Sequence, residues 1–129
     1  MTRTMTTHIN GIRTVGIPVS DQDRALAFYR DRLGFEVRID GMFGEGMRWL
    51  EVAPLGSPTS VALVRAGEAE TGVDTQIRLT STDVPSDHAA LRDGGVDVDA
   101  EIIPFPVPMF VFRDIDGNRL VVVDASPDA

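Results

Sequence analysis

Eight short segments of the chain either alternate apolar with polar residues or are continuous apolar runs, and apolar residues recur at helical spacing along two others. Alternation with a period of two is typical of strands with one buried face, whereas a spacing of three and four residues is typical of an amphipathic helix. Helices are therefore predicted over 21–33 and 83–95. Strands are predicted over 11–20, 35–39, 47–53, 59–65, 75–80, 96–103, 109–113 and 120–123.

These elements follow the order strand–helix–strand–strand–strand twice, which indicates an internal duplication. The segments LGFEV (33–37) and GGVDV (94–98) occupy equivalent points of the two halves. The pattern predicts an α+β fold in which two βαβββ modules form a cleft-shaped mixed sheet. The expected boundaries are a flexible N-terminal tail over 1–10 and one domain over 11–129, with module one at 11–65, a linker at 66–74 and module two at 75–124.

The sequence also predicts the caps of the two helices, one glycine-rich loop and three core phenylalanines. Ser20 or Asp21 should cap the first helix, and Asp83 or Ser86 the second. The glycine-rich stretch 40–46 is expected to be a loop whose Met42 and Phe43 serve as a lid or a dimer contact. Three phenylalanines are expected in the core, namely Phe105, Phe110 and Phe112.

Composition and charge exclude several classes of function. The net charge of −8 argues against a nucleic-acid partner, since phosphates are neutralised by clustered Lys and Arg. The chain has no cysteine, which excludes disulfides, thiolate metal sites and thiol nucleophiles. No apolar run reaches the length of a membrane span, and the first ten residues lack a secretory pattern, so we expect a cytoplasmic protein with no membrane partner.

Two motifs carry a family resemblance. The stretch GIPVSDQDRALAFYRDRLGFEV, together with FRDIDGNRLVVVD near the C-terminus, resembles the glyoxalase, bleomycin-resistance and extradiol dioxygenase group, the vicinal oxygen chelate superfamily. The resemblance covers residues 12–124. It implies the paired βαβββ fold and a homodimer, and a second subunit would also close an open cleft.

The same resemblance indicates that this chain lacks a metal site. Metal-dependent members place a His or Glu on each of four strands, and those places fall here on Thr14, Ala62, Gln76 and Val121. None of these residues is a usual ligand of a divalent cation, so no metal or other cofactor is expected. The two histidines do not replace them, because His8 lies in the tail and His88 is expected on the outer side of its helix.

Strand alternation divides the remaining candidates between two faces. One parity should pack under the helices, with the members Val15, Ile17, Leu50, Val52, Val61, Leu63, Ile77 and Leu79. The other parity should face the cleft and mixes an aromatic ring, methionines, small aliphatic residues and a few polar groups, which suits an organic ligand. The predicted ligand-binding residues are Thr14, Met47, Trp49, Glu51, Gln76, Arg78, Met109, Val111 and Val121.

Three hypotheses of function follow. The first is metal-independent binding and sequestration of a hydrophobic or aromatic small molecule, as in bleomycin-resistance-like proteins, with antibiotic self-resistance as one setting. The second is a metal-free isomerase, cyclase or lyase that acts on an aromatic or polyketide-like substrate, with Glu51 as general base and Gln76 or Arg78 polarising a carbonyl. The third, a metal-dependent glyoxalase or dioxygenase, is disfavoured by the missing ligands.

Overall fold

The computed structural model describes residues 6–125, so part of the predicted tail (1–5) and the last four residues of the predicted domain (126–129) lie outside the described residues. The first sheet contains β1 (Thr14–Val19), β2 (Glu36–Met42), β3 (Arg48–Ala53) and β4 (Ser60–Arg65). The second sheet contains β5 (Asp74–Ser81), β6 (Asp97–Val98), β7 (Met109–Arg113) and β8 (Arg119–Asp124). The helices are α1 (Gln22–Ala27), which continues as a π-helix over Phe28–Arg32, and α2 (Val84–Asp93).

The two sheets have the same topology, which confirms the predicted α+β fold of two βαβββ modules. Their strand orders are β1-β4-β3-β2 and β5-β8-β7-β6. In each sheet the first strand pairs in parallel with the last, and the other pairings are antiparallel. A short 3-10 helix at Glu68–Glu70 lies along the chain between β4 and β5.

An aspartate begins each helix. The Asp21 carboxylate accepts a hydrogen bond from the backbone N–H of Arg24 at 3.1 Å, and the Asp83 carboxylate accepts one from Ser86 at 3.1 Å. These bonds satisfy N–H groups that have no partner within the helix. Of the two cap candidates at each helix, the aspartate is therefore the cap.

One face of each sheet packs with the helices into a single apolar cluster. The eight predicted core positions all belong to this cluster or pack against it, and Phe110 and Phe112 are fully buried within it. Since side chains alternate along a strand, the other face of each sheet points away from the cluster. Seven of the nine predicted ligand-binding residues lie on these outward faces, and the two others, Met47 and Gln76, are described below.

Four expectations about local structure are wrong. The loop expected at 40–46 is shorter, because β2 continues through Met42 and the hairpin loop occupies 43–47. The strand expected over 96–103 is reduced to Asp97–Val98 and an isolated bridge from Ile103 to Met109, since the prolines that follow lack the N–H donor that a strand needs. Phe105 is 81% exposed in that proline-flanked loop rather than in the core.

The fourth correction concerns His88, which is buried rather than on the outside of its helix. It lies four residues after Val84 and three before Leu91, so the three side chains share the inner face of α2. Its ring meets Phe110 edge to face with centroids 5.0 Å apart, and its Nε2–H donates to the carbonyl of Asp99 at 2.7 Å. The polar residues around His88 in the sequence conceal this helical spacing.

Asn118 joins the two modules at the turn between β7 and β8. It is fully buried, and its Nδ2 donates to the Pro18 carbonyl at 2.8 Å and to Asp114 Oδ2 at 3.0 Å. Its Oδ1 accepts from the backbone N–H groups of Gly72 and Val73. One amide therefore ties β1 of the first module to the turn and the linker of the second.

Tyr29 forms a second bond between the modules. Its hydroxyl donates to Asp114 Oδ2 at 2.6 Å, and burial, with the nearby Asp114 carboxylate, raises the pKa of Tyr29 well above its ordinary value. The hydroxyl therefore stays protonated and acts as a donor.

Within residues 6–125, no helix is long and apolar enough to cross a membrane.

We expect Asn118→Ala to lower the free energy of unfolding by about 3 kcal/mol, because it leaves several buried backbone and side-chain groups without partners. Urea denaturation measures this loss. The control is Arg119→Ala, which removes a half-exposed ion pair with Asp74 and should change stability by less than about 1 kcal/mol. Equal effects of the two substitutions would contradict the role given to Asn118.

Candidate functional site

The outward face of the first sheet gathers a polar cluster around Glu51. The backbone register places Thr14 beside Ser60 and Glu51 beside Ala62, so these residues share one face of β1, β3 and β4. Across the other edge of β3, Ile39 pairs with Glu51 and Gly41 with Trp49. We call this surface the Glu51 face. It carries the predicted residues Thr14, Trp49 and Glu51.

Three neutral donors surround the Glu51 carboxylate. Oε1 accepts from the Ser60 hydroxyl at 2.6 Å and from the Thr14 hydroxyl at 3.2 Å, while Oε2 accepts from the Trp49 indole N–H at 2.6 Å. The Glu51 residue is 4% exposed. The two hydroxyls also lie 2.6 Å apart, so the cluster is a connected network rather than three separate contacts.

These hydrogen bonds determine the protonation state of Glu51. The bonds from Ser60 and Trp49 lower the pKa of its carboxyl, with a smaller contribution from Thr14, and outweigh the opposing effect of burial. Glu51 is therefore an anion at neutral pH.

An apolar pocket of about 410 Å³ opens beside Trp49, and its walls are Ile39, Gly41, Met42, Phe43 and Trp49. The Phe43 ring meets the indole edge to face, with centroids 6.3 Å apart and planes at 84°. Gly41, the cross-strand neighbour of Trp49, leaves the space open, since a Cβ built there would meet no atom within 4 Å. The pocket thus offers an aromatic wall whose indole also touches the Glu51 carboxylate.

Met47, a further predicted residue, is 57% exposed in the hairpin loop before β3 and is not among the walls of this pocket. Met42 and Phe43, the two residues expected to serve as a lid or a dimer contact, lie at the end of β2 and at the start of the hairpin loop. Met42 and Phe43 line the pocket and remain 66% and 59% exposed.

The remaining predicted residues lie on the second sheet. Arg78, Val121 and Val111 form one cross-strand row, because Arg78 pairs with Val121 and Val121 with Val111. Met109 pairs with Val123 on the same face. The structure therefore brings these four residues together as a second group.

Gln76 departs from this row. Its φ of 61° is in the left-handed region, and the pairing register of β5 with β8 shifts between Asp74 and Arg78. Its backbone N–H donates to Asp74 Oδ1 at 3.1 Å, and the residue is exposed. A bulge of this kind redirects side chains, so strand alternation alone does not fix where Gln76 points.

The two groups of predicted residues do not meet within the described chain. No strand pairing joins the two sheets over residues 6–125, and their other faces meet in the common core. A second cavity, of about 500 Å³, lies between the modules on the helix side and includes core-facing Leu79 and Val122. None of the predicted ligand-binding residues lines it.

Sequence reasoning missed Ser60, Ile39 and Gly41. Ser60 precedes Ala62 by two residues, so alternation along β4 places both on the Glu51 face and was a sufficient signal. Gly41 is missed because a Gly-rich stretch is typical of a loop, whereas here the strand continues through it. Ile39 lies in the predicted strand 35–39, but the pairing register shifts between Val37 and Ile39, so simple alternation does not predict its face.

The donors present do not fit a divalent metal ion. Ala62 and Val121 offer no ligating side-chain atom, and the Thr14 hydroxyl already bonds Ser60 and Glu51. Across the part of the chain that the structure describes, no group of three His, Cys, Asp or Glu side chains is placed to hold an ion.

Comparison with known proteins identifies relatives over nearly the whole chain. Residues 8–122 match the model of the Glyoxalase/Bleomycin resistance protein/Dioxygenase superfamily. The uncharacterized protein YetH of Bacillus subtilis (strain 168) is 30% identical over 116 residues, which cover 85% of this chain and 94% of YetH.

Two solved structures resemble the fold at similar identity. UcmS2 is 32% identical with a TM-score of 0.81 and covers 91% of this chain and 99% of its own. TnmS3, an antibiotic binding protein from Streptomyces sp. CB03234, is 34% identical with a TM-score of 0.80 and covers 94% of this chain and 100% of its own.

The hydrogen bonds to Glu51 predict a pH dependence of stability. Because folding lowers the pKa of this carboxyl, its stabilising contribution is complete above the ordinary value of about 4.5 and is lost as the pH falls through the folded-state value. The difference in unfolding free energy between wild type and Glu51→Gln should therefore shrink as the pH falls below about 4.5. Urea denaturation over a pH series measures it.

Glu36→Gln is the matched control for this prediction. Glu36 lies on the same sheet, and its ion pair with Arg38 is partly exposed, so its removal should change stability by less than about 1 kcal/mol. A difference between wild type and Glu51→Gln that stays constant with pH would contradict the prediction.

Proposed function

Because the chain belongs to the glyoxalase/bleomycin resistance protein/dioxygenase superfamily, we propose that it binds and sequesters a hydrophobic or aromatic small molecule without a metal ion. The likeness to TnmS3, an antibiotic binding protein, supports this class of ligand. An antibiotic is accordingly the ligand type that we favour, and self-resistance the role.

The pocket beside Trp49 is the observation that carries the proposal. Its walls are apolar, its two aromatic rings are already in contact, and the glycine opposite Trp49 keeps it open. Planar ligands gain stacking or edge-to-face energy of about 0.5–1.5 kcal/mol on such rings beyond the burial of area. The hydrogen bond from the indole to Glu51 holds the ring in place before a ligand arrives, which reduces the entropy lost on binding.

Catalysis by Glu51 finds less support than binding. A general base works best when its pKa lies near the operating pH, whereas the hydrogen bonds from Ser60 and Trp49 lower the pKa of Glu51. The carboxylate is thus stabilised as an anion and takes up a proton less readily. We therefore assign Glu51 to the binding surface rather than to proton transfer.

A homodimer would complete the site. The Glu51 face and the face that carries Arg78, Val111 and Val121 belong to separate sheets that share no strand pairing in the described chain. We propose that each cleft forms between the Glu51 face of one protomer and the second-sheet face of its partner, where Met109 and Gln76 would join the lining.

We propose the cytoplasm as the location of the protein. We also propose that it has no nucleic-acid partner, because its net charge is −8.

Truncation of the only tryptophan tests the proposed function. Trp49→Ala should weaken binding of Nile red, a neutral planar dye, by about 2 kcal/mol, or about 30-fold, because it removes the aromatic wall. Dye fluorescence gives the dissociation constant. The fold should persist, since Trp49 is not part of the core cluster, so the free energy of unfolding should fall by less than the about 3–5 kcal/mol typical of a core aromatic.

Phe105→Ala is the control, because it removes an aromatic ring that is 81% exposed in the second module. It should leave dye binding unchanged, and so should excess EDTA. Unchanged affinity of Trp49→Ala would refute the placement of the ligand, and loss of binding in EDTA would refute metal independence.

Sedimentation tests the homodimer. Because an open apolar face favours association, the protein should sediment at about twice its chain mass of 14.0 kDa at micromolar concentration. A species of 14.0 kDa that persists at the concentrations where ligand binds would contradict a cleft shared between protomers.

A further inference from the structure

We infer that Glu51 makes the pocket selective for aromatic ligands that carry a cationic nitrogen. The inference rests on the proposed function and names its ligand class. It follows from a charge that the described residues place beside an aromatic pocket without a cation in contact with it.

The charge on Glu51 lacks a close counter-ion. All three hydrogen-bond donors to the carboxylate are neutral groups, from Thr14, Trp49 and Ser60. Within residues 6–125, no Lys, Arg or His nitrogen lies within 4.0 Å of it, although Arg13 attracts it from a greater distance. Buried carboxylates are usually paired with a cation, so a cation supplied by the ligand would meet an unbalanced charge.

The carboxylate also has room for a further donor. An ionised carboxyl group offers about four lone-pair sites. Oε1 uses two of them, for Ser60 and Thr14, and Oε2 uses one, for Trp49. One acceptor site on Oε2, the oxygen that bonds the pocket's own indole, is thus unused by the residues that the structure describes.

The surroundings strengthen this attraction. Ile39 and Trp49 both line the pocket and both flank Glu51, the first across the strand pair and the second along β3. Glu51 is only 4% exposed before any ligand is present, and charges attract more strongly where the local dielectric is low. The faces of Trp49 and Phe43 attract a cation as well, since aromatic rings carry negative charge on their faces.

Glu51 has an alternative role in which it only holds the Trp49 ring in place. In that case its replacement would weaken all planar ligands alike. The charge-based role predicts instead that only cationic ligands lose affinity strongly. Two planar probes of opposite charge separate the two roles.

The experiment compares 9-aminoacridine, a planar cation at neutral pH, with anthracene-9-carboxylate, a planar anion of similar size, by isothermal titration calorimetry. Wild type should bind the cation at least about 10-fold more tightly than the anion. In Glu51→Gln this preference should fall to less than about 3-fold, because the amide keeps an oxygen acceptor but not the charge. Glu36→Gln, which removes the same charge from the ion pair with Arg38, should keep the wild-type preference.

Three results would overturn the inference. Equal binding of both probes by wild type would mean that the charge of Glu51 is neutralised in the assembled cleft, while the binding function itself would stand. An equal loss for both probes in Glu51→Gln would assign Glu51 to the positioning of Trp49 alone. Failure of wild type to bind either probe or Nile red would overturn the proposed function together with the inference.

Discussion

The alternation of side chains along eight strands is the constraint on which the site depends. Both sheets use one parity to build a single core with α1 and α2, so the opposite parity of each sheet is left without a cover from its own helices. The outward faces are therefore a product of the same packing that stabilises the fold. A molecule built in this way has two uncovered sheet faces whether or not a ligand is present.

The Glu51 network shows how a charge is accommodated on such a face. A carboxylate on an apolar sheet would normally be costly, and here two hydroxyls and an indole N–H lower that cost without cancelling the charge. The same bond that satisfies Glu51 fixes the orientation of Trp49. Charge and aromatic surface are thus coupled in one arrangement, and neither changes without affecting the other.

Particular residues show how far the sequence predicts this structure. The core parity of Leu50 and Val52 follows from alternation, whereas the lack of metal ligands follows from the family resemblance, which identifies the positions where ligands would lie. Gly41 was interpreted as part of a loop because its role depends on pairing with Trp49, which is a tertiary contact. The left-handed backbone of Gln76 has no local signal, since glutamine adopts it only where the surrounding sheet imposes it. Alternation assigns the predicted ligand-binding residues to a face of each sheet, but it does not predict which other face lies opposite, within the chain or in a second subunit.

The turn between β7 and β8 has a consequence for the order in which the protein is assembled. Tyr29 and Pro18 find their partners Asp114 and Asn118 at separations of 85 and 100 residues along the chain. During synthesis the first module therefore remains without these bonds until residues 114–118 have emerged from the ribosome. Contacts this distant in sequence slow folding, because the intervening loop must close before they form. A chain that stops before residue 114 leaves the Tyr29 hydroxyl and the Pro18 carbonyl without these partners.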